Sequence, residues 1–418
     1  MLIRDEIDQD FDGRFELITI YREGKPHRTE ADLDGDGSSD LMIEYENGRK
    51  TVQREDRNSN QQFDLVTYFD ENEHPKRIEE DADHDGRFET ITFYEAGVKV
   101  RAEKDRNGDR IPDVFIYFEG DQIVLQEEDT DFDGIVDVRN RISATGEKVQ
   151  ETDTNADGRI DTWLTSDANG NVVKREDDQS GDGKPDRIVY LKNGKIERLE
   201  QDTDAGGCID LKQWFDGAEK VRAEYRDTTG DCKTDIWSYF EKGVLVRQGQ
   251  DTLGKGRPQI LNHFDANGTL TVQEDVGEDG RSPSKKLFLN ASGEVTAQCL
   301  LGAEGKKLTV RTIVVGGVVV EALIDTTGNG VADNREVYEG GERVRMDVDT
   351  NNDRRPDVVI TAGPGGVSRQ DEDTDFDGIV DLRFDGDTAV DIPAGTKLAG
   401  EKFENLNCGS FHRFWWKR

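Results

Sequence analysis

The sequence predicts an all-β protein, a tandem-repeat antiparallel β-meander with one hairpin per repeat of about 24 residues. Three observations predict it. First, an acidic string recurs: EDTDFDGIVD stands at both 128–137 and 372–381, and DGRFE at both 12–16 and 85–89. Second, each string leads into a short apolar and aromatic run, such as LITIY after Glu16, TITFY after Glu89, VFIYF after Asp113 and IWSYF after Asp235. Third, a reversal follows, often with glycine: ENG at 46–48, EAG at 95–97, ANG at 168–170, KNG at 192–194 and EKG at 241–243. Glycine tolerates the positive φ that tight hairpin turns need, so such triplets between two apolar runs mark hairpins.

The remaining part of each unit is a second run that alternates, as Val98, Val100 and Ala102 do against Lys99, Arg101 and Glu103. Alternation with period two marks a half-buried strand. Aligned on their first aspartate, the units start at Asp8, Asp32, Asp56, Asp81, Asp105, Asp129, Asp153, Asp178, Asp202 and Asp227. The ladder blurs at Asp251, Asp275 and around Cys299, and recovers at Asp325, Asp349 and Asp373. About sixteen repeats therefore fill 1–387, degenerate at about 251–324, and 388–418 is left as a C-terminal cap or docking tail. Its end, FENLNCGSFHRFWWKR at 403–418, is aromatic and basic, unlike everything before it. A tight reversal in every unit favours a meander over a solenoid of parallel coils. A lone hairpin is marginal in water, so stability must come from stacking on neighbours in an elongated, twisted or spiral array.

Composition agrees with thin units. Apolar residues make up 33% and charged residues 35%, too lean for a thick core. The 91 acidic against 55 basic residues leave a net charge of -36, which excludes nucleic acid as a partner and invites metal cations. No run of 18 apolar residues exists to span a membrane, and no apolar h-region follows Met1.

The acidic strings have the spacing of a calcium loop. Calcium takes six to eight oxygens, and carboxylates at positions 1, 3, 5 and 9 of a turn with glycine at position 6 supply them from one segment. Asp8, Asp10, Asp12 and Glu16 meet this spacing; so do Asp32, Asp34, Asp36 and Asp40; Asp81, Asp83, Asp85 and Glu89; Asp129, Asp131, Asp133 and Asp137; and Asp373, Asp375, Asp377 and Asp381. Asp153, Asn155, Asp157 and Asp161 form a sixth set with one amide. Weaker copies are Asp56, Asn58, Asn60 and Asp64, without the glycine; Asp105, Asn107, Asp109 and Asp113, with Arg110 there; and Asp349, Asn351, Asp353 and Asp357, with Arg354 there. Asp178, Ser180, Asp182 and Asp186 keep Gly183, and Asp325, Thr327, Asn329 and Asp333 are poorer. Two carboxylates about 5 Å apart repel by roughly 3 kcal/mol at an effective dielectric of 20, so without cations the loops strain against themselves. A glutamate two residues before position 1 (Glu6, Glu30, Glu79, Glu103, Glu127, Glu151, Glu176 and Glu200) is expected to complete its own or a neighbouring site.

These loops resemble those of dockerins and thrombospondin type 3 repeats, which share DxDxDG. They depart from an EF-hand: position 12 holds Thr19, Ile43, Thr92, Asn140 or Phe384 in place of the bidentate glutamate, and a β-run follows in place of a helix. The hairpin part is loosely similar to the YD repeats of Rhs-type proteins and to MORN repeats. The YD resemblance implies a shell or carrier that spirals around a cargo.

Three functions compete: a structural stalk, adhesin or fibre component rigidified by calcium; such a shell; and a calcium-dependent module that binds glycan or protein. The partners expected are calcium and either the chain itself, in a fibre or oligomer, or a surface protein or glycan. Cytosolic calcium is too scarce for weak sites, so the array is expected outside the cell or on its surface. No nucleophile-base-acid set, phosphate loop or zinc spacing points to an enzyme. Cys208, at position 7 of one ligand-poor loop, and Cys232, at position 6 of the next, could form a disulfide that replaces the metal as a cross-link; free thiols are the alternative. Cys299 and Cys408 have no evident partner, though each could pair with the other. His84 stands inside a loop at a position expected to face solvent.

Overall fold

Residue pairs that turn back on themselves at positive φ dictate where the chain reverses. Asn47 and Gly48 (φ 55° and 84°), Ala96 and Gly97 (50° and 81°), Asn193 and Gly194 (53° and 74°) and Lys242 and Gly243 (54° and 84°) form two-residue turns whose twist suits paired strands. The computed structural model describes residues 3–9, 11–277, 284–301, 309–363 and 368–409. These contain thirty-three strands and no helix, and so no helix long and apolar enough to cross a membrane. The strands pair antiparallel with their neighbours in sequence, and the chain divides into two compact units, Met1–Ile196 and Glu197–Arg418.

Register sorts the side chains into rows. In the first unit one row runs Glu79, Ile91, Glu103, Phe115 and Glu127, each opposite the next across a strand pair. On the same face, one pleat away, run Tyr68, Arg77, Phe93, Arg101 and Tyr117. Acidic strands thus alternate with aromatic ones, and guanidinium groups bridge them: Arg77 lies over Tyr68 and Phe93, Arg101 over Phe93, Phe115 and Tyr117. The other face carries polar ladders, including Thr19 to Thr29 and the Gln126 amide to Glu128. Few apolar side chains are fully buried, Val114 and Leu261 among them, as the lean composition requires.

A different solution appears in the second unit. Disulfides join Cys208 to Cys232 and Cys299 to Cys408. The segment after the last hairpin runs back along three loops as a strap. Its amides at Leu398, Phe403 and Leu406 donate to the carbonyls of Gly378, Arg354 and Gly330, while Val380 and Ala332 donate to the strap carbonyls of Thr396 and Glu404. Phe403, Leu406 and Cys408 close over Cys299 and Ala332 to form an apolar cluster. Within 388–418 the described portion therefore covers loop edges of the preceding repeats; residues 410–418 of the aromatic, basic end lie outside the described residues.

Gly400 passes so close to Pro356 that an added β-carbon would collide with the proline ring. Gly400→Ala is accordingly expected to speed hydrogen exchange at Leu398, Phe403 and Leu406 by about tenfold or more while the hairpin amides keep their protection. Exchange read by mass spectrometry checks this, and equal protection in both proteins would contradict it.

Candidate metal centre

Each acidic loop is built by its own side chains. In the loop from Asp129, position 1 accepts hydrogen bonds from the amides of Phe132 (2.7 Å) and Gly134 (2.8 Å). Asp131 accepts from Asp133 and Asp133 from Ile135, which are tight local turns. Asp137, at position 9, accepts from the amide and hydroxyl of Thr130 (both 2.6 Å) and from the amide of Asp131. The same pattern recurs at Asp32–Asp40, Asp178–Asp186 and Asp373–Asp381. Positions 4 and 6 are left-handed, as at Phe132 and Gly134 (φ 66° and 91°). Where glycine is missing at position 6 the conformation persists: Gln61, Arg110 and Arg354 have φ of 70°, 75° and 75°. The loops are also tied together, since the amide of one position 1 donates to the carbonyl of the preceding position 9, as Asp129 does to Asp113 and Asp153 to Asp137.

Position separates the candidate ligands. Positions 1 and 9 are buried or half-buried, with Asp40, Asp56, Asp64, Asp81, Asp113, Asp129, Asp137, Asp153, Asp161, Asp178, Asp186, Asp325, Asp333, Asp349, Asp357 and Asp373 all buried; Asp381 is the exception and lies exposed. Positions 3 and 5 are exposed in every described loop, at Asp12, Asp34, Asp36, Asn58, Asn60, Asp83, Asp85, Asn107, Asp109, Asp131, Asp133, Asn155, Asp157, Ser180, Asp182, Asn329, Asn351, Asp353, Asp375 and Asp377. Asp10 lies outside the described residues.

Carboxylate oxygens converge within 4.8 Å of one another in several loops: Asp81, Asp83, Asp85 and Glu89; Asp8, Asp12 and Glu16; Asp32, Asp34 and Asp36; Asp129, Asp131 and Asp137. Asp40 turns instead to the amides of Leu33 and Asp34. A further group, Asp202, Asp204 and Asp210, was not among the expected ligand sets because Gly206 replaces position 5; carboxylates at positions 1, 3 and 9 were the signal that remained. Two oxygens in these groups, Oε1 of Glu89 and Oδ1 of Asp8, are shut off from solvent and meet no hydrogen-bond donor among the described residues. A buried acceptor without a donor calls for a cation or water, so the donor set fits a hard metal ion.

Electrostatics point the same way. Partial desolvation and the charges of Asp133, Asp137 and Asp129 hold the Asp131 carboxyl above its ordinary value, and Asp375 is raised likewise in the identical loop. Desolvation also raises Glu89, with Asp83 and Asp81 adding to it. The position 9 aspartates of two other loops behave oppositely. Burial pushes Asp137 and Asp161 up, but the hydroxyls and amides of Thr130 and Thr154 outweigh it and hold both below 3.8.

Two expectations need correction. The glutamates preceding position 1 do not turn into the loops as free ligands. Glu6, Glu30, Glu79, Glu103, Glu176 and Glu200 pair with the basic residue two places earlier on the same strand, Glu127 with Arg139 on the following strand and Glu151 with Arg141 on the preceding one. Strand periodicity puts i and i−2 on one face, so the sheet claims these carboxylates first. His84 does not simply face solvent; its Nδ1 sits 2.9 Å from Oδ1 of Asp64, position 9 of the preceding loop, and that contact raises the imidazole above 6.5.

Fold and site together define a tandem hairpin-repeat protein with acidic loops at the repeat junctions. No protein-family model matches the chain, and no curated protein matches it. Among solved structures it is similar to a mutant of S. aureus TarM in complex with fondaparinux, alpha-GlcNAc-glycerol and UDP, at 16% identity and a TM-score of 0.21 over 25% of this chain and 20% of that one. It is similar to TcdB2-TccC3-Cdc42 at 10% identity and a TM-score of 0.17 over 89% of this chain and 23% of that one. TcdB2-TccC3 without its hypervariable C-terminal region gives 12% identity and 0.18 over 93% and 24%. The chain thus spans a quarter or less of each of these structures, and scores of this size assign neither family nor function.

Asp137→Ala leaves three loop donors without their acceptor and is expected to destabilise the first unit by about 1–3 kcal/mol in chelator, whereas the exposed Asp133→Ala stays within about 0.5 kcal/mol. Urea unfolding in EDTA reads both, and equal effects would contradict the division of labour. Because Asp137 and Asp161 titrate below 3.8, their contribution is present above that pH and is lost as pH falls through their lowered values. His84 has the opposite sign: protonated, it supports the Asp64 contact below pH 6.5, and that support is lost as pH rises through its raised value. An NMR titration should place His84 above 6.5, and Asp64→Asn should bring it back.

Proposed function

We propose that this chain is a structural repeat protein stiffened by calcium, working outside the cell or at its surface as a stalk, adhesin or fibre component. The observation that carries the reading is the orphaned Oε1 of Glu89, enclosed in a group of four carboxylates whose oxygens lie within 4.8 Å. Oxygen-only donors on a short turn suit calcium better than softer metals. The repeats have little apolar core, so a cation that neutralises each loop acts on the junction where one hairpin is joined to the next. Extracellular modules bind calcium at about 10⁻⁴–10⁻³ M, and calcium at about ten times that constant stabilises each site by roughly 1.4 kcal/mol. Summed over the loops of an array, that is comparable to the stability of a whole domain. Weak sites of this kind fill where calcium is millimolar, which supports a place outside the cytosol.

Calorimetry with small-angle scattering tests the reading. Millimolar calcium is expected to raise the melting temperature by ten degrees or so relative to EDTA, equal magnesium much less, and Glu89→Gln with Asp83→Asn to remove part of the gain. Identical melting and scattering in calcium and in EDTA would overturn it.

A further inference from the structure

We propose that the loop edge of the first unit, from the Asp81 loop to the Asp129 loop, is a docking site for an extended, lysine-bearing peptide segment of a partner protein. The second unit shows how such an edge is read, because the chain seats its own strap on one. There, three consecutive loops present carbonyls at position 6 (Gly330, Arg354 and Gly378), and each accepts an amide of the strap at 2.8–3.1 Å. The position 8 amides of Ala332 and Val380 donate back to the strap; the middle loop has Pro356 there, which lacks an amide, and the strap answers with Gly400.

The first unit repeats this triplet. Position 6 reads Gly86, Arg110 and Gly134, and position 8 reads Phe88, Pro112 and Val136, the same Gly-Arg-Gly and X-Pro-X order. The third loop, 128–137, is identical to its counterpart at 372–381. Among the described residues, no hydrogen bond meets the carbonyls of Gly86 and Gly134 or the amides of Phe88 and Val136. A cleft of about 540 Å³ lies between the Asp81 and Asp105 loops. Its walls include Asp85, Arg87, Glu89 and Asp105. In step with the triplet these places hold Asn329, Val331, Asp333 and Asp349; one repeat further along, the like-placed Asp353, Arg355, Asp357 and Asp373 wall the space where Leu398, Gly400 and Lys402 of the strap lie. Arg345 donates to the strap carbonyl of Ala399, and Arg101 holds its place in the first unit. Apolar side chains stand exposed along the same edge: Ile111 at 59%, Ile135 at 47% and Phe132 at 46%.

Chemistry narrows the occupant. Backbone donors and acceptors in alternation select an extended chain, as at a sheet edge. The acidic loops favour a cationic side chain, and Lys402 of the strap lines one space with Asp353, Asp357 and Asp373, whereas a second copy carrying a charge of -36 is repelled. Cys299, which tethers the strap, is replaced by Arg54 at the equivalent place in the sheet register, so binding here is reversible. The contacts that seat the peptide are backbone amides and carbonyls of positions 6 and 8, so this inference does not rest on the calcium reading.

The test uses a fluorescein-labelled peptide of residues 390–409 carrying C408S, titrated onto the intact oxidised chain and followed by polarisation. Saturable binding is expected, weakened about fivefold or more by F88P with V136P and unchanged by F88A with V136A. Proline is tolerated at this loop position, as Pro112, Pro185 and Pro356 show, and circular dichroism checks that the variant stays folded. No saturable binding, equal binding of a scrambled peptide, or indifference to the proline pair would overturn the proposal. Self-association of the unlabelled chain that F88P with V136P abolishes would assign the edge to a second copy and overturn the choice of partner.

Discussion

The array depends on one hydrogen-bonding device: loop amides bound by the carboxylates of the same loop. A hairpin satisfies its backbone by pairing with its neighbours, but the junction between hairpins has no such partner. In each acidic loop the donors left over are taken by aspartates at positions 1 and 9, as Asp129 and Asp137 show. The carbonyl of position 9 then accepts the amide of the next position 1, so the ladder continues across the junction. A carboxylate that accepts several amides keeps its charge and is strongly held. The device leaves exposed carboxylates at positions 3 and 5 close to buried ones, and in several loops that crowding forms groups that could hold a metal ion.

Much of this was legible in the sequence because the repeat reports itself. The hairpins followed from turn residues and alternation, and the turns formed at Asn47–Gly48 and Ala96–Gly97 with the expected positive φ. The places of the acidic loops followed from spacing alone. Other features lay beyond pattern. The pairing of Glu79 with Arg77, for instance, depends on which of two nearby partners a side chain reaches, and the nearest competitor stood two residues away on the same strand. The persistence of the loop at Arg110 was hidden because the absence of glycine read as weakness, while the amide bonds to Asp105 fix the turn regardless. The strap left no sequence period at all, since a segment that bonds to one loop after another takes its spacing from the repeat it covers.

The two units differ in how their repeat junctions are held. The first has eight acidic loops and no cysteine. In the second, the Asp202 and Asp227 loops are tied by the Cys208–Cys232 disulfide, and the repeats beside them pack Trp214 on Tyr225 at 4.5 Å and Tyr225 near Tyr239 at 6.1 Å. The glutamate expected before position 1 becomes Tyr225 and then Gly249, the latter against Pro258 and Leu261. Where acidic loops return at Asp325, Asp349 and Asp373, the strap and the Cys299–Cys408 bond lie across them. A repeat junction in this chain is therefore supported in more than one way, and disulfide, aromatic stack and strap stand beside acidic loops that could hold a metal ion as answers to the same shortage of core. Such interchange is open to a one-dimensional array because each junction involves only its neighbours, so one can change its means of support without disturbing the rest.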